Sequence, residues 1–215
     1  DDLHIKVSAD GTAWTEALRI ARASGRVSFP AQGMREVLTA NRTYYVRTDG
    51  NNSNDGLSNN SGGAFLTLQK AWDTILTLDL HGFAVTIQVG TGTFSGGITG
   101  STPPLGGLVN IAGNGSANTI LSTTGANCID IACPTLLTIS AIKLQTATSG
   151  DCIISRNGAR VTIGADLNFG ACAGVHIRSQ YFGYVFAGSN YTISGSASYH
   201  LTAYTKGIIE MSGIT

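Results

Sequence analysis

A chain of 215 residues is long enough for one sizeable core, or for a main domain with a small appendage. Thirteen basic and thirteen acidic residues cancel and only 12% of the chain is charged, so its electrostatics offer no basis for binding nucleic acid or an anionic membrane surface. There is no apolar run of about 18 residues to span a bilayer, and four cysteines without a Cys-x-x-Cys or a close Cys/His pair predict neither a disulfide-stapled mini-domain nor a zinc site.

Residues 1–40 alternate. Leu3, Ile5 and Val7, then Leu18 and Ile20, recur at every second position on either side of the turn Ala9-Asp10-Gly11, which is a hairpin pattern. Forty residues of hairpin bury little surface by themselves, so this module is expected to pack against a partner chain or the rest of the protein. The chain opens at Asp1 without a methionine or a signal-like apolar core, and the expectation is a piece of a longer protein.

Residues 41–83 form a second block. A short apolar strand, "TYYV" at 43–46, leads into an Asn/Asp/Gly loop, "DGNNSNDG" at 49–56. Its oxygen side chains at Asp49, Asn51, Ser53 and Asp55 suggest calcium, but the sixth and twelfth positions are Asn54 and Asn60 where an EF-type loop needs Gly and Glu. Turn closure by Asn and Asp on their own backbone is the expected role. In "FLTLQKAWDTIL", 65–76, Phe65, Leu68, Trp72, Ile75 and Leu76 fall at helical spacing with Gln69, Lys70 and Asp73 opposite, which predicts a helix of about three turns with Trp72 as its packing anchor.

Residues 84–215 repeat. "AVTIQV" from 84, "LVNIAG" from 108, "LLTISA" from 136, "RVTIGA" from 160, "YVFAGS" from 184 and "IIEMSG" from 208 follow one another at steps of 24, 28, 24, 24 and 24 residues. Val85, Val109, Leu137, Val161, Val185 and Ile209 are the expected inward row, and Thr86, Asn110, Thr138, Thr162, Phe186 and Glu210 the outward one. A second row, Ile129, Ile153, Ile177 and Leu201, keeps the same step, and a third segment between the two, at 142–145, 166–169 and 190–193, slips phase by one residue. Three short strands per 24 residues without crossover helices predict an all-β parallel solenoid of six coils, the 65–76 helix covering its first coil.

These motifs carry a resemblance. "TYYV", "NDGLS" and "TLQKAWDTI" within 43–75 resemble the lead-in of right-handed parallel β-helix proteins of the pectin-lyase-like group, and the hairpin with "GRVSFPAQG" in 1–40 resembles a module of phage and prophage tail-associated proteins. The resemblance implies a right-handed parallel β-helix with about 24-residue coils, divided as a 1–40 tail-associated hairpin, a 41–83 lead-in with capping helix, and an 84–215 helix running on past Thr215. It further implies a homotrimeric tail fibre or tailspike in the virion tail, extracellular when mature, with host surface polysaccharide and other virion tail proteins as partners. The alternative it leaves is a polysaccharide lyase or glycoside hydrolase of the same fold, and a third reading is a bacterial surface adhesin.

The residues themselves bear on that choice. Within 84–215 the acids are Asp130, Asp151, Asp166 and Glu210, and no two share an outward row on neighbouring coils, so no catalytic pair, metal cluster or cofactor is expected. Aromatic residues gather in the last third, and Tyr181, Tyr184, Phe186, Tyr199 and Tyr204 are the candidates for stacking on sugar rings, a role open alongside subunit contact. Cys128 and Cys152 occupy one slot in successive coils, with His176 and His200 continuing it. Free thiols and a solvated outward histidine ladder are expected there. Five Asn-x-Ser/Thr tripeptides, at Asn41, Asn51, Asn59, Asn114 and Asn190, are what an Asn- and Ser-rich composition yields by chance.

Overall fold

A computed structural model describes residues 2–8, 11–23, 27–28 and 35–213, which divide into two compact units, 1–37 and 38–215. In the first, Leu3–Val7 pairs antiparallel with Thr15–Ile20, which pairs in turn with Val27–Ser28. Register places Leu3 opposite Ile20 and Ile5 opposite Leu18, so the alternating apolar residues share a face; Leu3, Ile5 and Val7 remain exposed. The turn expected at 9–11 and most of the run 25–33 lie largely outside the described residues.

The second unit is a parallel β-solenoid. One sheet stacks, in chain order, Arg42–Val46, Ala84–Val89, Leu108–Ala112, Leu136–Ser140, Arg160–Ile163, Tyr184–Ala187 and Ile208–Met211. A second stacks Gly92–Phe94, Thr119–Gly125, Lys143–Ser149, Leu167–Phe169 and Tyr191–Ile193; a third stacks Ile98–Gly100, Ile129–Ile131, Ile153–Ser155, Val175–Gln180 and Tyr199–Tyr204. Five full three-strand coils and the first strand of a sixth therefore occupy the span expected to hold six. The partners Val85↔Val109, Val109↔Leu137, Leu137↔Val161, Val161↔Val185 and Val185↔Ile209 reproduce the steps read from the sequence. In the second sheet Leu144 pairs with Phe169, a step of 25, which is the one-residue slip.

Burial follows from this stacking. The first-sheet inward residues are sealed up to Val185 and Ala187, while Ile209 is half-buried and Met211 exposed. Ile129, Ile153 and Ile177 form one buried column, but Leu201 above them is 37% exposed because it belongs to the last described strand of its sheet. The other end is closed. The helix spans Leu68–Ile75, shorter than expected because Phe65 instead bridges Val46 in extended backbone. Leu68, Ala71, Trp72 and Ile75 are buried, and the helix packs on Arg42–Val46, Ala84–Val89 and Ile98–Gly100. The Trp72 indole lies so close to Gly100 that a Cβ there would meet it at 2.6 Å.

The Asn/Asp loop is the brace for this cap. Asn52 Oδ1 accepts from the Leu66 and Thr67 amides, and the Thr67 hydroxyl caps the helix by accepting from Lys70 N. Asn51 and Asp55 each accept from the amide two residues on, the turn-closing bonds expected of them. Gly56 has φ +77 and its missing Cβ leaves room for the Phe65 ring, so the "NDG" glycine answers both a backbone and a packing demand.

Candidate functional site

In the later coils the third sheet hands over to the first sheet of the next coil through a tight turn, these turns stack into a corner, and a like turn precedes the first coil. At Leu80–Phe83, Arg156–Ala159, Gln180–Gly183 and Tyr204–Gly207 the fourth residue's amide donates to the first residue's carbonyl, at 2.8 to 3.2 Å. Both central residues have positive φ, the type I′ conformation that suits Asn-Gly. Asn157-Gly158 fits that rule, at φ 54 and 81. One coil later the same two positions are Tyr181-Phe182, at 49 and 63, and one coil further Thr205-Lys206, at 50 and 64. Holding a side chain with a Cβ in the left-handed region costs about 1–2 kcal/mol per residue. The following glycine is forced: a Cβ at Gly183 would fall 2.1 Å from the Ser155 carbonyl oxygen, and at Gly207 2.2 Å from that of Ser179.

What the strained turn presents is aromatic surface. Phe182 is 66% and Tyr181 47% exposed. Lys206 Nζ stands 5.0 Å from the Phe182 ring centre, and on the neighbouring first sheet the Arg160 guanidinium stands 4.9 Å from that of Tyr184. The Tyr184 hydroxyl donates to the Glu210 carboxylate, which pushes the phenol pKa up. Toward earlier coils the corner continues as a groove of about 310 Å³ whose walls include Pro104, Pro134, Leu136, Gly158 and Arg160. An apolar strip edged by two cations is thus laid along the rod, the arrangement that stacks on sugar C–H faces while binding hydroxyl or carboxylate oxygens.

The five aromatic residues singled out from the sequence are divided by the fold. Tyr181 and Tyr184 belong to this corner, and Phe186 lies two residues beyond Tyr184 on the same outward row, its ring folded over Gly188. Tyr204 opens the next turn and is engaged from below, since Arg178 Nη1 donates to its hydroxyl at 2.9 Å. Tyr199 sits five positions away on that strand, beside Val175 and roughly 17 Å distant from Tyr204 at strand rise. It does not join the group. Of the corner's remaining members, Phe182 and Lys206 escape a reading by periodicity because alternation encodes which face a strand residue takes and not the sign of φ in a turn, whereas Arg160 opens a first-sheet strand and faces outward by that alternation.

The four acids of residues 84–215 are all engaged. Asp130 accepts two bonds from Arg156, at 3.0 and 2.9 Å, and a third from Asn127. Asp151, also buried, pairs with Arg178 Nε at 2.7 Å and accepts from Val175 N at 2.7 Å. Gly174 is required beside it, because a Cβ would lie 2.2 Å from the carboxylate. Asp166 accepts from the Ser116 amide and hydroxyl, which hold its carboxyl below the usual range. Each carboxylate secures one coil to another. A polar cleft of about 250 Å³ near the lead-in loop is likewise internally bonded, Arg47 being clamped by both oxygens of Asp49.

The histidine ladder differs from expectation. His176 is 2% exposed and turned inward, as are Cys128 and Cys152 in the same column. The column lies at the bend leading into the third-sheet strands, where Cys128 and Ile129, although consecutive, both enter the core, so period two fails there. All four cysteines are free and buried. Hydrogen bonds to the sulfurs of Cys128 and Cys172, then burial, push the Cys152 thiol up, which keeps it protonated and inert.

Among the described residues no group of three His, Cys, Asp or Glu side chains is placed to hold a metal ion, and no helix is long and apolar enough to cross a membrane. Compared with protein-family models, curated proteins and solved structures, the chain matches none of them.

Proposed function

We propose that this protein is a rigid component of a phage tail fibre or tailspike, homotrimeric and joined to other virion tail proteins, whose solenoid offers its last coils to a glycan on the host surface. The observation that carries this reading is the Tyr181-Phe182 turn. Two exposed aromatic residues occupy positions where Asn-Gly would sit without strain, and strain of this kind persists where a function requires it. Stacked coils also hold a long surface fixed, so little conformational freedom is lost on binding. Lys206 and Arg160, flanking the aromatic strip, favour a polysaccharide that carries carboxylate groups.

Incubating the full chain with a panel of bacterial surface polysaccharides, acidic and neutral, tests this directly. Retention of an acidic polysaccharide, with no new reducing ends and no rise in unsaturated-sugar absorbance, is the expected result. Binding to none of them contradicts the reading, and release of cleaved sugar replaces it with a lyase or hydrolase.

A further inference from the structure

The 28-residue step breaks the 24-residue rhythm at one connection, and a cavity opens there. From Leu108 to Ile120 the chain advances twelve residues, whereas from their rung partners, Leu136 to Lys143, it advances seven. The surplus is the loop 113–118 between the first sheet and the second. That loop is tied down. Ser116 bonds Asp166 through both its amide and its hydroxyl, reaching past the intervening coil. Asn114 N donates to Thr119 Oγ1 at 2.8 Å, and Asn118 N and Thr119 N both donate to the Gly115 carbonyl at 2.9 Å. So held, the loop brings Asn114 to the lead-in segment, where with Arg47, Thr48, Asp49, Asn59 and Thr91 it lines the polar cleft of about 250 Å³.

The geometry points to a binding site in this cleft for one neutral sugar residue, held through a pair of adjacent hydroxyls. The bonds inside the cleft orient its groups without exhausting them. Arg47 donates from Nε and Nη2 to the Asp49 carboxylate at 2.8 and 3.0 Å and from Nη1 to Asn59 Oδ1 at 3.3 Å. A guanidinium has more N–H groups than these bonds use, and each carboxylate oxygen accepts more than one. Asn114 Nδ2 donates to Thr91 Oγ1 at 3.4 Å, while the Asn114 side-chain oxygen, the Asn59 side-chain nitrogen and the Thr48 hydroxyl make no hydrogen bond among the described residues. Asp49 and Asn59 thus meet on one guanidinium, and Thr91 and Asn114 meet on one hydrogen bond. Acceptors and donors stand side by side, which is what adjacent hydroxyls, each both donor and acceptor, require.

Other ligand classes fit less well. Arg47 and Asp49 cancel, so neither an anion nor a cation meets a net opposite charge. No aromatic ring lines the cleft, so a nucleobase has nothing to stack on. The volume falls short of the range for drug-sized ligands, which begins at about 300 Å³, and suits a single ring. Because the donors and acceptors are already fixed, little ordering is needed on binding. The site is built from the lead-in segment and the first two coils, and none of its residues belongs to the aromatic corner, so the two sites stand or fall separately.

Nitrogen–proton correlation NMR on the full isotope-labelled chain reads this out, with methyl glycosides of glucose, galactose, mannose and N-acetylglucosamine, and maltotriose, as probes. The side-chain amide signals of Asn59 and Asn114 and the Arg47 Nε–H should shift with at least one of them, with a dissociation constant on the order of 1 mM, while the backbone amides of Phe182 and Lys206 stay in place. Asn114→Ala, on an exposed loop, should weaken that binding about fivefold, and its melting temperature should stay within about 2 °C of the unaltered protein. Binding of a methyl glycoside marks a single sugar as the ligand, and tighter binding of maltotriose marks the end of a chain; either supports the site. No shift at Asn59, Asn114 and Arg47 with any of the probes, or equal affinity in Asn114→Ala, would overturn it, whatever the corner binds.

Discussion

At Phe182 two demands meet in one residue. The backbone asks for glycine, as the preceding coil supplies at Gly158, yet the chain places there a ring that is mostly in water, with the Lys206 ammonium 5.0 Å from its centre. Replacing it by glycine removes about 1 kcal/mol of left-handed strain, against a cation–π contact of about 0.5–1 kcal/mol at an exposed site. Phe182→Gly should therefore leave the melting temperature unchanged or raise it by about 1–3 °C, measured by calorimetry. A fall of more than a few degrees would mean the ring is a packing residue. The sequence hides this, because a turn's φ signs leave no periodic trace; the Asn-Gly at 157–158 was the one legible sign, and projecting it by 24 residues lands on Tyr181-Phe182. His176 was misplaced for a related reason. Alternation assumes a straight strand, and the bend ahead of the third sheet turns successive residues inward.

At the scale of elements, the cap and the coils are held by different means. The helix covers the first coil through Trp72, sealed from solvent, and is itself pinned by Asn52. Truncating a buried tryptophan costs about 3–5 kcal/mol. Trp72→Ala should thus destabilise the solenoid by that amount in urea unfolding, with the earliest loss of amide protection in Ala84–Val89; a cost under about 1 kcal/mol would show that the helix is not the cap. Helix, repeat spacing and phase slip were all legible, because each coil contributes one apolar residue to each inward row and the rows are spaced by coil length. The Asp130–Arg156 and Asp151–Arg178 ties were not. Their separations of 26 and 27 residues fall off the 24-residue step, since each arginine reaches back across its neighbouring coil.

For the whole molecule, the proposed function assigns stiffness to the solenoid and binding to the corner. Trimeric assembly, which the resemblance of residues 1–40 implies, predicts a light-scattering mass about three times the 22.2 kDa of the chain, and a clean monomer would remove that part of the proposal. The last coils have two roles in the proposed function: they carry the strained aromatic turn, with Lys206 against Phe182, and they place Arg160 in the wall of the groove. The central claim is that the strain at Tyr181-Phe182 exists for binding. It is tested most directly by titrating an acidic surface polysaccharide into the unaltered protein and into Phe182→Gly, reading affinity by calorimetry alongside the melting temperature. The account predicts at least tenfold weaker binding in a variant that melts no lower; equal affinity in the two proteins would contradict it.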